Sequence, residues 1–272
     1  MIERFQYHAF AVGAAGRIDA PFEEIIPIQA SCALPETGGF GTARVERYRF
    51  RDTFSFHAIT SAVHGSYSPR DRSFDALATV TIEGLNLLGM VTADRIVARI
   101  SSRHWDDGKE HSITPLGSYF ENLRIAGYLV ELRLATDTFS KFDTFDKVKT
   151  AYRENRDDFR DEFNGLSLIG RADDVPEKMR KYLPWCGLTA GKEIPETNGI
   201  VACSLVRELD GLGSELTQRG HVIHVPGFGT VRLAELKITN FASRLTMLQV
   251  ELGSTPTGNV TAGGVESNGS SW

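Results

Sequence analysis

Nine consecutive residues, Arg103-His104-Trp105-Asp106-Asp107-Gly108-Lys109-Glu110-His111, hold two imidazoles and three carboxylates. Such oxygen and imidazole donors suit a divalent metal, and a His–carboxylate pair suits proton transfer. His104, Asp106, Asp107 and His111 are therefore the candidate catalytic residues. The Asp-Asp-Gly core is equally an ordinary hairpin turn, so no metal ligand and no cofactor is assigned.

A second arrangement is cationic. Arg47, Arg49 and Arg51 alternate with Tyr48 and Phe50, which on a strand sets three guanidinium groups in a row on one face. Arginine forks suit carboxylates and phosphates, making these three the candidate ligand-binding residues. Pairing with acids on a neighbouring strand is the plainer reading, since Glu46 and Asp52 lie close by. Other histidines look less able to cooperate. His221 and His224 stand three apart and His57 and His64 seven apart, so on straight strands the members of each pair face opposite ways. Gly38-Gly39-Phe40-Gly41 lacks the Lys-Ser/Thr of a nucleotide loop and reads as a hairpin turn. No P-loop, Rossmann fingerprint, HExxH or GxSxG occurs.

Strands must position these groups. Ile26–Leu34, Phe40–Arg51, Phe54–Tyr67 and Phe74–Glu83 alternate apolar and polar residues and are separated by Gly, Pro and Asp turns. Pro27, unable to donate to a ladder, marks the first as an edge or a bulge. Further strands are expected at Val91–Ile100, Phe120–Leu134, Ile200–Glu208, His221–Val225, Thr230–Ile238 and Arg244–Leu252. Many short strands with glycine turns predict an antiparallel β-sandwich or barrel. Helical spacing interrupts them at Thr144–Asn164, with Asp143 or Thr144 as cap, and a second short helix is expected from Asp174. The chain thus divides into a β-rich part (1–141), a helical insertion (142–183), a β-rich part completing the same domain (184–253) and a Gly/Ser/Thr/Asn-rich tail (254–272), flexible or partner-bound. Ile82–Gly89 is echoed by Phe120–Gly127, Phe163–Gly170 and, faintly, Leu233–Asn240. The shared form is a short strand ending where Gly or Asn is favoured.

Composition bounds the function. The 272 residues carry 35 acids against 30 bases, a net charge of −5, and 41% are hydrophobic. That excludes a disordered tail, and a pI near 5.8 argues against a dedicated nucleic-acid binder. No run of about 18 apolar residues suggests a membrane helix, and no apolar leader follows Glu3 and Arg4. Cys32, Cys186 and Cys203 are scattered and odd in number, fitting free thiols in a reducing cytoplasm. The reading is a soluble, cytoplasmic β-rich binding or assembly module. Its expected partner is a protein or a second copy of itself, with a small-molecule ligand also open. The alternative is an enzyme holding a small molecule in a barrel or between sheets.

Overall fold

Alternating strands joined by glycine turns fold here into two open antiparallel sheets packed face to face. The computed structural model describes residues 5–153, 200–239 and 242–271. The first sheet holds β1 (Phe5–Ala20), β2 (Glu24–Ala33), β12 (Ile200–Ser204), β14 (Thr217–Arg219), β15 (Val222–Val225), β16 (Gly229–Thr239), β17 (Ala242–Gly253) and β18 (Thr257–Ser271), in the order β14-β15-β16-β17-β18-β1-β2 with β12 also on β16. The second holds β3 (Gly39–Phe50), β4 (Phe54–Ser68), β5 (Ser73–Leu87), β6 (Val91–Trp105), β7 (Ser112–Thr114), β8 (Tyr119–Glu121), β9 (Arg124–Ile125) and β10 (Tyr128–Leu129), in the order β10-β9-β6-β5-β4-β3 with β7 and β8 on β6. A small third sheet pairs β11 (Glu131–Leu134) with β13 (Val206–Asp210). Neither large sheet closes, so of the two expected architectures the sandwich is the one formed.

The tail needs correcting. Residues 257–271, expected to be flexible or partner-bound, form β18, an interior strand hydrogen-bonded to β17 on one side and β1 on the other. Its partner belongs to the same chain. Thr144 Oγ1 accepts the Lys147 N–H at 3.2 Å and so caps α2 (Phe145–Arg153), which follows the short α1 (Thr138–Lys141). The rest of the expected insertion, including the helix from Asp174, lies outside the described residues.

Both sheets carry a transverse crease. In the second sheet Arg47, His57, Gly84, Asp94 and Asn122 stand opposite one another across five successive strand segments, and each drops out of its ladder. Arg47, Gly84 and Asn122, on alternate strands, have φ of 54°, 64° and 50°. In the first sheet Ala234, Met247, Gly263, Gly13 and Ala30 form the matching row, with φ of 50°, 70° and 48° at Ala234, Gly263 and Ala30. One extra residue per strand, aligned across the sheet, leaves the pairing register intact but flips which residues face inward. On β5 the buried residues run Ala76, Ala78, Val80, Ile82 and then Leu85, Leu87; on β6 they run Val91, Ala93 and then Ile96, Ala98, Ile100.

The crease explains the echo. Ile82–Gly89 and Phe120–Gly127 flank β6 at the same registers, with Gly84 and Asn122 on the crease and Leu88-Gly89 and Ala126-Gly127 both turning at positive φ. Arg95 on β6 bridges Glu83 at 3.2 Å and Glu121 at 3.5 Å. Leu233–Asn240 carries its own crease residue, Ala234; the copy at Phe163–Gly170 lies outside the described residues.

A buried hydroxyl pair, Ser102 Oγ and Ser267 Oγ at 2.6 Å, links the two sheets between β6 and β18. Ser102→Ala leaves Ser267 without that partner and is expected to cost about 1–2 kcal/mol, most of it recovered in the double Ser102→Ala/Ser267→Ala variant. Urea denaturation of the three variants checks this.

Candidate functional site

The arginine row falls on the edge strand β3, and the crease divides it. Thr42, Arg44 and Glu46 are exposed before the crease and Arg47 and Arg49 after it, because the positive φ at Arg47 shifts the alternation by one. Arg51 leaves the row: it pairs with Glu24 at the start of β2 and lies 4.1 Å over the Phe22 ring. Arg49 pairs with Asp52. Arg51 thus meets an acid on another strand, while the acid of Arg49 is in its own following turn. Among the described residues the Arg47 guanidinium has no ion-pair partner.

Arg47 and Arg49 line an open groove of about 410 Å³ that crosses the outer face of the second sheet. Its other polar residues are Ser55 and His57 on β4, Asn86 on β5, and Thr92 and Asp94 on β6. The His57 imidazole lies over Gly84, where a Cβ would fall 2.4 Å from its Nδ1. Asn86 Oδ1 accepts the Gly89 N–H at 2.7 Å, and Asp94 accepts from Asn122 at 2.7 Å. His57 and His64, expected on opposite faces, are both exposed, since His57 sits on the crease and the alternation reverses between it and His64.

The candidate catalytic cluster separates. His104 lies inside, on β6, only 8% exposed, its ring 4.7 Å from His111 and 5.0 Å from Phe5. Burial, with the second imidazole beside it, pushes the His104 pKa down to about 3; burial also lowers that of His111. Among the described residues the His104 Nε2 has no hydrogen-bond partner. Asp106 turns away to Arg72 at 3.0 Å, and Asp107 to Lys109 at 2.5 Å, which holds its carboxyl below the usual range. Glu110 accepts the Asp146 N–H at 3.0 Å at the start of α2. Among the described residues no hydrogen bond or ion pair joins the two histidines to Asp106 or Asp107. Among the described residues no group of three His, Cys, Asp or Glu side chains is placed to hold a metal ion.

Two features escaped the sequence reading. Buried His221 bonds Glu235 at 3.1 Å, with Arg232 at 3.9 Å from the same carboxylate and 3.2 Å from Glu251. His224 is exposed, so these two do face opposite ways. The other feature is apolar: Ile25 is 72% exposed, Ile28 63%, Phe40 66% and Phe22 44%. All four stand where the edge strands β2 and β3 end the two sheets on one side of the sandwich. Ile26 and Ala30 are buried while Ile28 is not, because the β1–β2 register shifts near Gly16 and Ala30 sits at positive φ. The sequence had placed Ile28 on the inward face.

No helix among the described residues is long and apolar enough to cross a membrane. No curated protein and no solved structure matches the chain. Residues 5–239, from β1 through β16, match the model of a family described as a domain of unknown function, DUF8256. With most of its length so covered, the chain belongs to the DUF8256 family.

Proposed function

We propose that this chain is an assembly module that pairs with a second copy of itself through the β2/β3 margin. The observation that carries the reading is Ile25 and Ile28 standing exposed on an edge strand, with Phe22 in the turn just before it. Solvated edges of natural sheets are ordinarily short, charged or covered; exposed apolar edge residues mark a contact surface. Pro27 between the two isoleucines removes a donor from the edge. That disfavours an endless strand-to-strand ladder and favours a closed contact made through side chains.

A two-fold contact meets itself, so the patch must be self-complementary. Its rim carries both signs, Glu23 and Glu24 against Arg17 and Arg51, which pair within one molecule and can pair across two. Ile25→Glu/Ile28→Glu is expected to leave far-UV circular dichroism unchanged, since neither side chain is in the core. It should lower self-association by at least tenfold, as two desolvated carboxylates oppose their own copies. Light scattering across a dilution series checks this. Equal masses for the variant and the parent chain at every concentration would remove the β2/β3 margin from consideration.

A further inference from the structure

We propose that the crease of the second sheet binds an oxyanion carried on a hydroxylated body, a sugar phosphate or a sugar acid. The site is independent of self-association. Arg47 on β3, His57 on β4, Gly84 on β5 and Asp94 on β6 share one register, Asn86 on β5 lies two residues along, and Gly84 makes room for the imidazole above it.

Charge is distributed along the groove. Arg47 and Arg49 stand at one end, and Arg47 lacks a partner among the described residues while its neighbours Arg44, Arg49 and Arg51 all have one. A guanidinium fork facing a groove is matched to two oxygens of a phosphate or carboxylate. The far end carries the Asp94 carboxylate and the Thr92 hydroxyl, both on β6, with the Asn86 amide on β5 between. Asn86 spends its carbonyl on Gly89, which leaves its NH₂ to donate. Three strand spacings of about 4.8 Å separate β3 from β6, so the ends are roughly 14 Å apart. A bare anion would engage only the arginine end. Hydroxyl groups answer the remainder, because they donate to Asp94 and accept from Asn86, Thr92 and His57.

Backbone conformation supplies an independent argument. Arg47 occupies the left-handed region at φ 54°, where a long side chain is disfavoured. Of the other positive-φ crease residues, Gly84 and Gly263 are glycines and Ala30, Asn122 and Ala234 have short side chains. Glycine would satisfy the backbone here at lower cost, which makes Arg47, the one long side chain at a positive-φ crease position among the described residues, the outlier of the row.

That conformation also gives a clean variant. Arg47→Gly relieves the backbone while deleting the guanidinium. The probes are glucose 6-phosphate, glucuronate, glucose and inorganic phosphate, titrated by calorimetry into the full chain at low salt. Glucose 6-phosphate or glucuronate is expected to bind with a dissociation constant of about 1 mM or tighter, and the tighter of the two identifies the anion. Glucose and inorganic phosphate are expected to bind at least about tenfold more weakly. Arg47→Gly is expected to lose about tenfold or more with no fall in melting temperature, and His57→Ala to lose affinity as a second handle on the same groove. Binding should weaken as salt is raised. The proposal is overturned if neither sugar anion binds, if Arg47→Gly binds like the parent chain, or if inorganic phosphate alone binds as tightly as the sugar anions.

Discussion

Gly13→Val is expected to abolish the native sandwich, or to destabilise it by about 3 kcal/mol or more. Gly13 lies on the crease of the first sheet, in the interior strand β1, between β2 and β18. A Cβ there would fall 2.3 Å from Ile59 Cγ2 in the facing sheet and 2.7 Å from the Gln29 carbonyl oxygen in the adjoining strand. The methyl group could shift, but the carbonyl belongs to a ladder and cannot move without unpairing it. Gly253→Ala is the control: its Cβ would meet only Gly229 Cα, at 3.4 Å, and a change below about 1 kcal/mol is expected. Urea midpoints of the two variants decide it. A Gly13→Val chain as stable as the parent would mean that the sheets do not approach so closely at the crease.

The second large effect is on acid stability. His104 and His111 are buried against each other, and both are held neutral. An unfolded histidine takes up a proton near pH 6.5, whereas folded His104 does so only near pH 3. Between these values the unfolded chain binds more protons, so stability falls as pH falls through this window. Each such group contributes a slope of up to about 1.4 kcal/mol per pH unit. Above pH 6.5 the pair costs nothing by this route. His104→Phe, set between Phe5 and His111, also removes the unpartnered Nε2. It is expected to hold its stability at pH 7 and to lose clearly less than the parent chain on going to pH 4.5. Identical slopes for the two proteins would contradict the buried, neutral state of His104.

Much of the second sheet was legible in the sequence because its strands alternate cleanly. Phe74 to Glu83 reads as one strand, and its even-numbered residues from Ala76 to Ile82 are indeed buried. The reading stops at Glu83 because Gly84 is a crease residue, where the alternation reverses. That reversal depends on neighbours in space, and no single strand announces it. It is why Ile28 looked buried and His57 seemed to oppose His64. β1 and β18 were illegible for a different reason. Their buried residues include Ala9, Ala11, Gly13, Ala262 and Gly263, small because the sheets approach closely there, and small residues resemble a flexible linker in composition. Proximity in sequence misled at 103–111, where strand β6 carries His104 inward before the turn sends Asp106 and Asp107 out to Arg72 and Lys109. The arginine row was legible as a pattern. Its convergence with His57, Asn86 and Asp94 was not, since register across four strands is a tertiary property.

β2 and β3 end the two sheets on the same flank, and both exposed isoleucines stand on β2. Equilibrium sedimentation of the whole chain decides whether it self-associates through that flank. The account predicts a species of about 60 kDa, twice the 30.0 kDa chain, that dissociates on dilution with a micromolar constant typical of a modest interface. A single 30.0 kDa species persisting to millimolar concentration would contradict it.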